Sequence, residues 1–168
     1  MTVMQHKSYN LETLIEVVSA MVGAVGQAVA PIVLRVALGL PFLRSGLTRW
    51  DGFLSISPGT QFLFEEQFKL HLLGGEYPFP APDVIAFMVG VAEILLPILL
   101  FAGLATRLTA AALLVMTGVI QLTFPDGWAN FHLYWAAIAL AIMALGAGPI
   151  SLDRLISILW RRAGGAIT

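Results

Sequence analysis

Four apolar segments, separated by shorter polar stretches, divide most of the chain. They cover residues 28–48, 83–104, 108–124 and 129–147. A helix needs about 20 residues to cross the hydrocarbon core of a bilayer. Each segment therefore predicts a membrane-spanning helix, and together they predict an all-α integral membrane protein built as a four-transmembrane-helix bundle.

The polar stretches predict the accessory elements. Apolar residues recur at helical spacing from Leu11 to about Val25, which predicts an amphipathic N-terminal segment at the interface or an extension of the first span. Aromatic and charged residues alternate over Thr60–Leu73, which predicts a surface helix or an extracytoplasmic cap between spans 1 and 2. Ser151 is a predicted N-cap of a short C-terminal amphipathic helix. The expected units are a lead and amphipathic helix over 1–27, a membrane domain over 28–150, and a C-terminal helix and tail over 151–168.

Composition supports a membrane protein and excludes several other classes. Hydrophobic residues make up 58% of the chain, charged residues 11%, and the mean hydropathy is +0.87. A net charge of −1 argues against nucleic acid as a partner. The sequence has no cysteine, which excludes disulfides and thiolate-bound iron–sulfur clusters. The small residues at Ala28 and Ala30 are followed by Pro31, so we expect no signal-peptide cleavage.

The distribution of Lys and Arg predicts the orientation in the membrane. With both termini in the cytoplasm, positive charge is more abundant on the cytoplasmic side, as in most membrane proteins. That side then holds Lys7, Arg107, Arg154, Arg161 and Arg162, whereas the opposite side holds Arg49 and Lys69. We therefore expect a multi-pass protein of a bacterial inner membrane, in contact with membrane lipids.

Two ionisable residues lie well inside the predicted spans. Glu93 falls near the middle of the second span, and Arg35 lies within the first. A charge at such depth is costly and marks a functional site unless it is paired. We predict a buried Arg35–Glu93 pair that sets the polarity and register of the bundle, and a purely structural ion pair explains the same residues equally well.

A second group of polar and aromatic residues is predicted to line the non-cytoplasmic mouth. It comprises Arg44, Arg49, Thr117, Gln121, Trp128, His132 and Trp135. Such a mouth suits a ring-shaped ligand, with Gln121 and His132 on its polar edge and Trp128 and Trp135 as walls. His132 titrates near neutral pH and could move a proton. The alternative is an aromatic belt with a hydrogen-bonded interfacial histidine.

Metal and haem sites are not expected. His132 is the only histidine within a predicted span, and no second histidine or methionine stands at ligand spacing around it. The sequence does not identify a catalytic residue.

Three sequence runs resemble the DoxX family of small four-helix bacterial membrane proteins. They are RxxLGLPFLRSGLTRW from Arg35, AExLLPxLLFAGLATRLTA from Ala92 and GAGPISLD from Gly146. The resemblance extends from about Ile32 to Leu155. Family-like positions are held by Arg35, Gly46, Glu93, Arg107 and the run Ser151-Leu152-Asp153.

The resemblance implies a link to redox complexes, because related DoxD-type subunits serve in thiosulfate:quinone oxidoreductase. Without cysteine, this chain would depend on a bound quinone to carry electrons. The leading hypothesis is a quinone- or lipophile-binding subunit of a membrane oxidoreductase complex, with a redox partner protein. A non-catalytic scaffold and a small-solute carrier remain alternatives, and small residues such as Gly39 and Gly46 would also allow a homo-oligomer.

Overall fold

The computed structural model describes residues 11–164, so the predicted polar lead over residues 1–10 lies outside the described part. The described chain is mainly helical, with two small hairpins between the first two long helices. The helices are α1 (Leu11–Leu47), α2 (Pro58–Phe62), α3 (Pro82–Ala102), α4 (Thr106–Thr123), α5 (Leu133–Leu145) and α6 (Leu152–Gly164). The strands are β1 (Trp50–Gly52), β2 (Ser55–Ile56), β3 (Lys69–Leu72) and β4 (Gly75–Pro78).

The four predicted spans are confirmed. Within residues 11–164, four helical segments are long and apolar enough to cross a membrane: Leu11–Leu47, Pro82–Ala102, Thr106–Thr123 and Pro125–Leu145. The last of these contains α5 and the two short helical turns that precede it. Large apolar side chains such as Val33, Leu95 and Val115 face outward, as expected for contact with lipid.

Helix α1 continues without interruption from Leu11 to Leu47. The N-terminal segment is therefore an extension of the first span and not a separate interfacial helix. Its residues are exposed as far as Val29, and close packing with the bundle begins at Pro31. The helix itself shows no break at the boundary predicted between residues 27 and 28.

Helix α1 packs closely against α3 at two glycines. Gly39 lies against the ring of Phe101, and Gly46 lies against Glu93. A Cβ atom at Gly46 would stand 2.8 Å from the Glu93 Cβ, which is closer than van der Waals contact allows. Small residues therefore let the two helices approach at the depth of the buried acid.

A cap covers one end of the bundle, as predicted, but its secondary structure differs in part from the prediction. Residues Leu63–Gln67 form a π-helical turn after α2, and the backbone becomes extended at Phe68. The predicted surface helix over Thr60–Leu73 therefore ends at Gln67. Strand β3 follows and pairs with β4 through a turn at Gly74, where a positive φ of 82° favours glycine. His71 ties this hairpin to α4 through the Leu122 carbonyl, 3.2 Å from Nδ1.

The C-terminal helix α6 begins as predicted. The Ser151 hydroxyl oxygen accepts a hydrogen bond from the Arg154 backbone N–H at 3.2 Å, which is the contact of an N-cap. Helix α6 thus starts directly after the linker that follows α5.

Candidate functional site

A cavity of about 180 Å³ lies beneath the cap, between α1, α3, α4 and α5. An engineered apolar cavity of roughly 150 Å³ accepts benzene, so this one has room for a single substituted ring. Most of the lining is apolar or aromatic, and the charged groups are confined to one wall. The lining residues are Pro41, Phe42, Ser45, Arg49, Phe64, Phe68, Phe79, Val89, Glu93, Met116, Val119, Ile120, Thr123, Phe124 and Trp135.

Arg49 and Glu93 form an ion pair on the polar wall. Arg49 Nε contacts Glu93 Oε2, and Arg49 Nη2 donates to Glu93 Oε1 at 2.9 Å. The Ser45 hydroxyl also donates to Glu93 Oε1, at 3.1 Å. The Glu93 side chain is 3% exposed and the Arg49 side chain 13%. This two-point contact fixes the plane of the guanidinium and compensates the charge of the buried acid.

The same guanidinium faces the aromatic part of the cap. The Arg49 Cζ atom lies 5.3 Å from the centre of the Phe64 ring, within range of a cation–π interaction. Among residues 11–164, Arg49 Nη1 has no hydrogen-bond partner, because the contacts with Ser45 and Glu93 use Nε and Nη2. Arg49 can therefore donate a hydrogen bond to an acceptor in the cavity without giving up Glu93.

Aromatic side chains close the cavity on two sides. Phe64 and Phe68 of the cap have ring centres 5.1 Å apart, and Phe68 meets Phe124 at the same distance. On the opposite side, Phe42 and Trp135 have ring centres 5.2 Å apart. A flat ring can pack against such surfaces through offset or edge contacts.

The predicted Arg35–Glu93 pair is corrected, because Glu93 pairs with Arg49. Both residues of the predicted pair are buried, but they lie at different depths. Glu93 lies beside Gly46, and residues 35 and 46 are 11 positions apart in one helix, or roughly 16 Å. The prediction placed Arg35 too deep because it began the span at residue 28, whereas packing starts at Pro31.

Arg35 belongs instead to the opposite end of the bundle. Its Nε donates to the Pro31 carbonyl at 3.1 Å, and its Nη2 donates to the Ile150 carbonyl at 2.7 Å. Gly103 is packed so closely against the guanidinium that a side chain there would collide with it. Arg35 thus connects α1 to the turn after α3 and to the linker before α6.

Asp153 completes that junction. Its carboxylate accepts hydrogen bonds from the backbone N–H groups of Ala105 at 2.7 Å and Thr106 at 2.9 Å, at the start of α4. Burial works to raise the pKa of Asp153, but these N–H groups and the charge of Arg35 outweigh it, so the pKa lies below its ordinary value. Residues of all three runs that carry the family resemblance therefore meet in a single structural junction.

Gln121 contacts His132, and the His132 ring lies beside Trp135. Gln121 Oε1 is 2.6 Å from His132 Nδ1, and Gln121 Nε2 donates to the Pro125 carbonyl at 3.0 Å. The His132 ring centre is 5.4 Å from that of Trp135. Trp135 lines the cavity, whereas Gln121 and His132 are not among its lining residues. Their predicted contact with a ligand stays a prediction.

Three other candidates lie away from the cavity wall. Trp128 is 47% exposed and does not line the cavity. Thr117 is buried and donates to the Leu113 carbonyl at 2.8 Å. Arg44 is exposed near the end of α1.

The sequence interpretation missed Ser45 and the cap phenylalanines as cavity residues. Phe42, Ser45 and Arg49 are spaced by three and four positions, which places them on one side of a helical turn. That spacing was a usable signal for Ser45. The contact between Phe79 and Phe64 depends on the fold of the cap, and nothing in the local sequence predicts it.

Comparison with known proteins agrees with this architecture. The DoxX family model matches residues 30–126, which comprise most of the first span, the cap and the next two long helices. An uncharacterized protein of Haemophilus influenzae is 28% identical over 144 residues, covering 79% of this chain and 86% of that protein. No solved structure matches the chain. The family match covers more than half of the sequence, and the chain belongs to the DoxX family.

Proposed function

We propose that this membrane protein holds the ring of a quinone or a similar lipophile in the cavity beneath the cap. The observation that carries the proposal is the lining itself, which is aromatic on two sides and bears one fixed guanidinium, that of Arg49. Ligand sites in proteins are typically apolar with a few well-placed polar groups. The cavity fits that description, whereas a void left by imperfect packing needs no oriented donor.

The residues present fit a quinone headgroup in size and polarity. A volume of about 180 Å³ suits one substituted ring, and Arg49 has a donor for one ring carbonyl. Phe42, Phe64 and Trp135 would hold the ring faces and exclude water. A bound quinone would supply electron transfer. The chain's own residues bind it, orient it and keep the site dry.

We assign Gln121 and His132 a positioning role in this proposal. His132 contacts Trp135 and Gln121 contacts His132, so the two residues would set the position of the indole that forms one wall of the cavity. Substituting either residue would then change ligand affinity through Trp135 and not through a lost ligand contact. This differs from the direct contact expected from the sequence.

We also propose a redox partner protein in the membrane, which would exchange electrons with the bound quinone. We place the cap outside the cytoplasm, since Arg107, Arg154 and Arg161 lie at the opposite end of the bundle. Glu66→Cys in the cap and Arg162→Cys in α6 each introduce a single cysteine and test this placement. Because the sequence has no other cysteine, labelling reports only on the introduced residue. In spheroplasts, a membrane-impermeant maleimide should label the first and spare the second, and the reverse pattern contradicts the orientation.

The binding proposal is tested by titrating purified protein with a short-tailed benzoquinone and following tryptophan fluorescence. Wild-type protein should show saturable quenching, because Trp135 forms a wall of the cavity. Arg49→Lys keeps a positive charge beside Glu93 but removes the planar guanidinium. Loss of a hydrogen bond from a charged group should weaken binding by roughly 10- to 100-fold.

Arg44→Lys is the matched control, since Arg44 lies on the same helix but is exposed and does not line the cavity. It should bind like the wild type. Quenching that rises linearly with quinone concentration and is identical in wild type, Arg49→Lys and Arg44→Lys would show that the quinone only partitions into detergent. The Arg49–Glu93 pair would then serve as part of a non-catalytic scaffold.

A further inference from the structure

A second concave surface lies at the opposite end of the bundle from the cap. It is an open crevice of about 670 Å³ between the start of α4, the end of α5 and the first turns of α6. Two of its walls carry arginines: Arg107 on α4, and Arg154 and Arg161 on α6. The backbone of the linker Gly146–Pro149 forms its floor.

Within residues 11–164, no carboxylate neutralises the arginines of the crevice by forming an ion pair with any of the three. Arg107 makes one long hydrogen bond, from Nη2 to the Ala144 carbonyl at 3.4 Å. Asp153 also lines the crevice, but its two oxygens accept from the backbone N–H groups of Ala105 and Thr106. Three positive charges therefore face one carboxylate that is already hydrogen-bonded.

The surroundings of the crevice are those of a membrane interface. Arg107 stands at the end of a spanning helix, and α6 presents a separate apolar face. The apolar side chains of that face are 40–79% exposed: Leu152, Leu155, Ile156, Leu159 and Trp160. Such a helix lies in the interface with its apolar face among the acyl chains and its arginines at the headgroups. Exposed Leu145 and Ile150 continue the apolar surface beside the crevice.

We propose that this crevice binds the phosphate headgroup of an anionic phospholipid. Guanidinium groups pair with phosphate oxygens through two parallel hydrogen bonds. The apolar side chains around the crevice would contact the acyl chains of the same molecule, which favours a lipid over a free phosphate ion. The excess of positive charge favours an anionic headgroup over a zwitterionic one. The bound lipid would join α6 to the ends of α4 and α5.

Native mass spectrometry on the full chain tests the proposal, with phosphatidylglycerol or phosphatidylcholine added to the micelles. Wild-type protein should retain one phosphatidylglycerol in preference to phosphatidylcholine. Arg107→Gln, Arg154→Gln and Arg161→Gln should each weaken that retention about fivefold, the usual effect of one basic residue near anionic lipid. Inorganic phosphate at millimolar concentration should not displace the lipid.

Arg162→Gln is the control, because Arg162 neighbours Arg161 on α6 and carries the same charge but does not line the crevice. It should retain the lipid as the wild type does. An equal loss for Arg162→Gln and Arg161→Gln would overturn the site in favour of diffuse charge on α6. Equal retention of the two lipids by wild-type protein would overturn it as well, and displacement by inorganic phosphate would show a soluble anion as the ligand. Since Arg161 is exposed, its variant should fold even if Arg107→Gln does not.

Discussion

Arg49 contacts both carboxylate oxygens of Glu93 on the wall of the cavity beneath the cap. The two residues come from different parts of the chain, just after α1 and in the middle of α3. Their pairing accounts for a carboxylate in an apolar span and leaves a guanidinium beside the aromatic lining. The stability of the bundle and the polarity of the cavity therefore depend on the same contact.

Removing one partner of this pair should destabilise the protein strongly. Glu93→Gln and Arg49→Gln should each lower the free energy of unfolding by roughly 3–5 kcal/mol, because each leaves a buried charge without its partner. The double variant should lower the free energy of unfolding by less than the sum of the losses in the two single variants. Unfolding in mixed micelles titrated with dodecyl sulfate measures these differences, and Glu66→Gln on the exposed cap surface is the control. Strictly additive losses would contradict a direct pair.

The close approach of α1 and α3 at Gly46 predicts a steric effect. Gly46→Ala places a Cβ 2.8 Å from the Glu93 Cβ and 2.9 Å from the Glu93 carbonyl carbon, so the helices must separate. We expect a loss of about 1–3 kcal/mol in the free energy of unfolding, as for other overpacked interiors. Gly118→Ala on α4 meets nothing within 4 Å and should stabilise the protein by about 0.5–1 kcal/mol through helix propensity. A neutral result for Gly46→Ala would contradict the helix contact.

Trp135 should be the main reporter of ligand binding. Trp135→Phe keeps an aromatic wall but removes the indole, so most of the saturable quenching by a benzoquinone should disappear. Trp160→Phe removes an indole that is 79% exposed on α6, and it should leave the saturable quenching intact. An equal loss of quenching in the two variants would place the ligand elsewhere.

Asp153 gives the junction at the opposite end a defined pH dependence. Because its pKa is lowered in the folded protein from the ordinary value of 3.8, its contribution to stability is fully present above that value. The contribution is lost as the pH falls through the lower pKa of the folded state. The difference in Tm between wild type and Asp153→Asn should therefore be largest at neutral pH and shrink below the ordinary pKa. Asp126→Asn on an exposed turn is the control variant, and a Tm difference for Asp153→Asn that stays constant with pH would contradict this contribution.

The spans could be predicted from the sequence because their apolar segments are long and bounded by polar turns. The predicted Arg35–Glu93 pair was wrong because the sequence does not give the depth of Arg35 in the bundle. Helix α1 begins at Leu11 and extends beyond the packed bundle, so counting from an assumed first residue misplaced the arginine. The contact between Arg49 and Glu93 also depends on the cap, since Arg49 follows the end of α1.

The residues that carry the family resemblance illustrate the same limit. The run ending in Asp153 and the turn at Ala105–Thr106 are far apart in sequence, and nothing local in either indicates that one caps the other. The sequence predicts Gln121 and His132 at one mouth of the bundle, each in contact with a ligand, but it does not predict their direct contact at 2.6 Å. That Trp135 lines the cavity depends on the packing of α5, which the local sequence does not indicate.

The most direct test of a ligand site beneath the cap is native mass spectrometry, with extraction of bound lipid, on gently solubilised protein. We expect the wild type to retain one quinone or another single-ring lipophile. Ile120→Trp, which fills the cavity from α4, should lose it, whereas Val115→Trp on the lipid-facing side of the same helix should keep it. Wild-type protein that carries only phospholipid, or equal retention by the two variants, would contradict a ligand site beneath the cap.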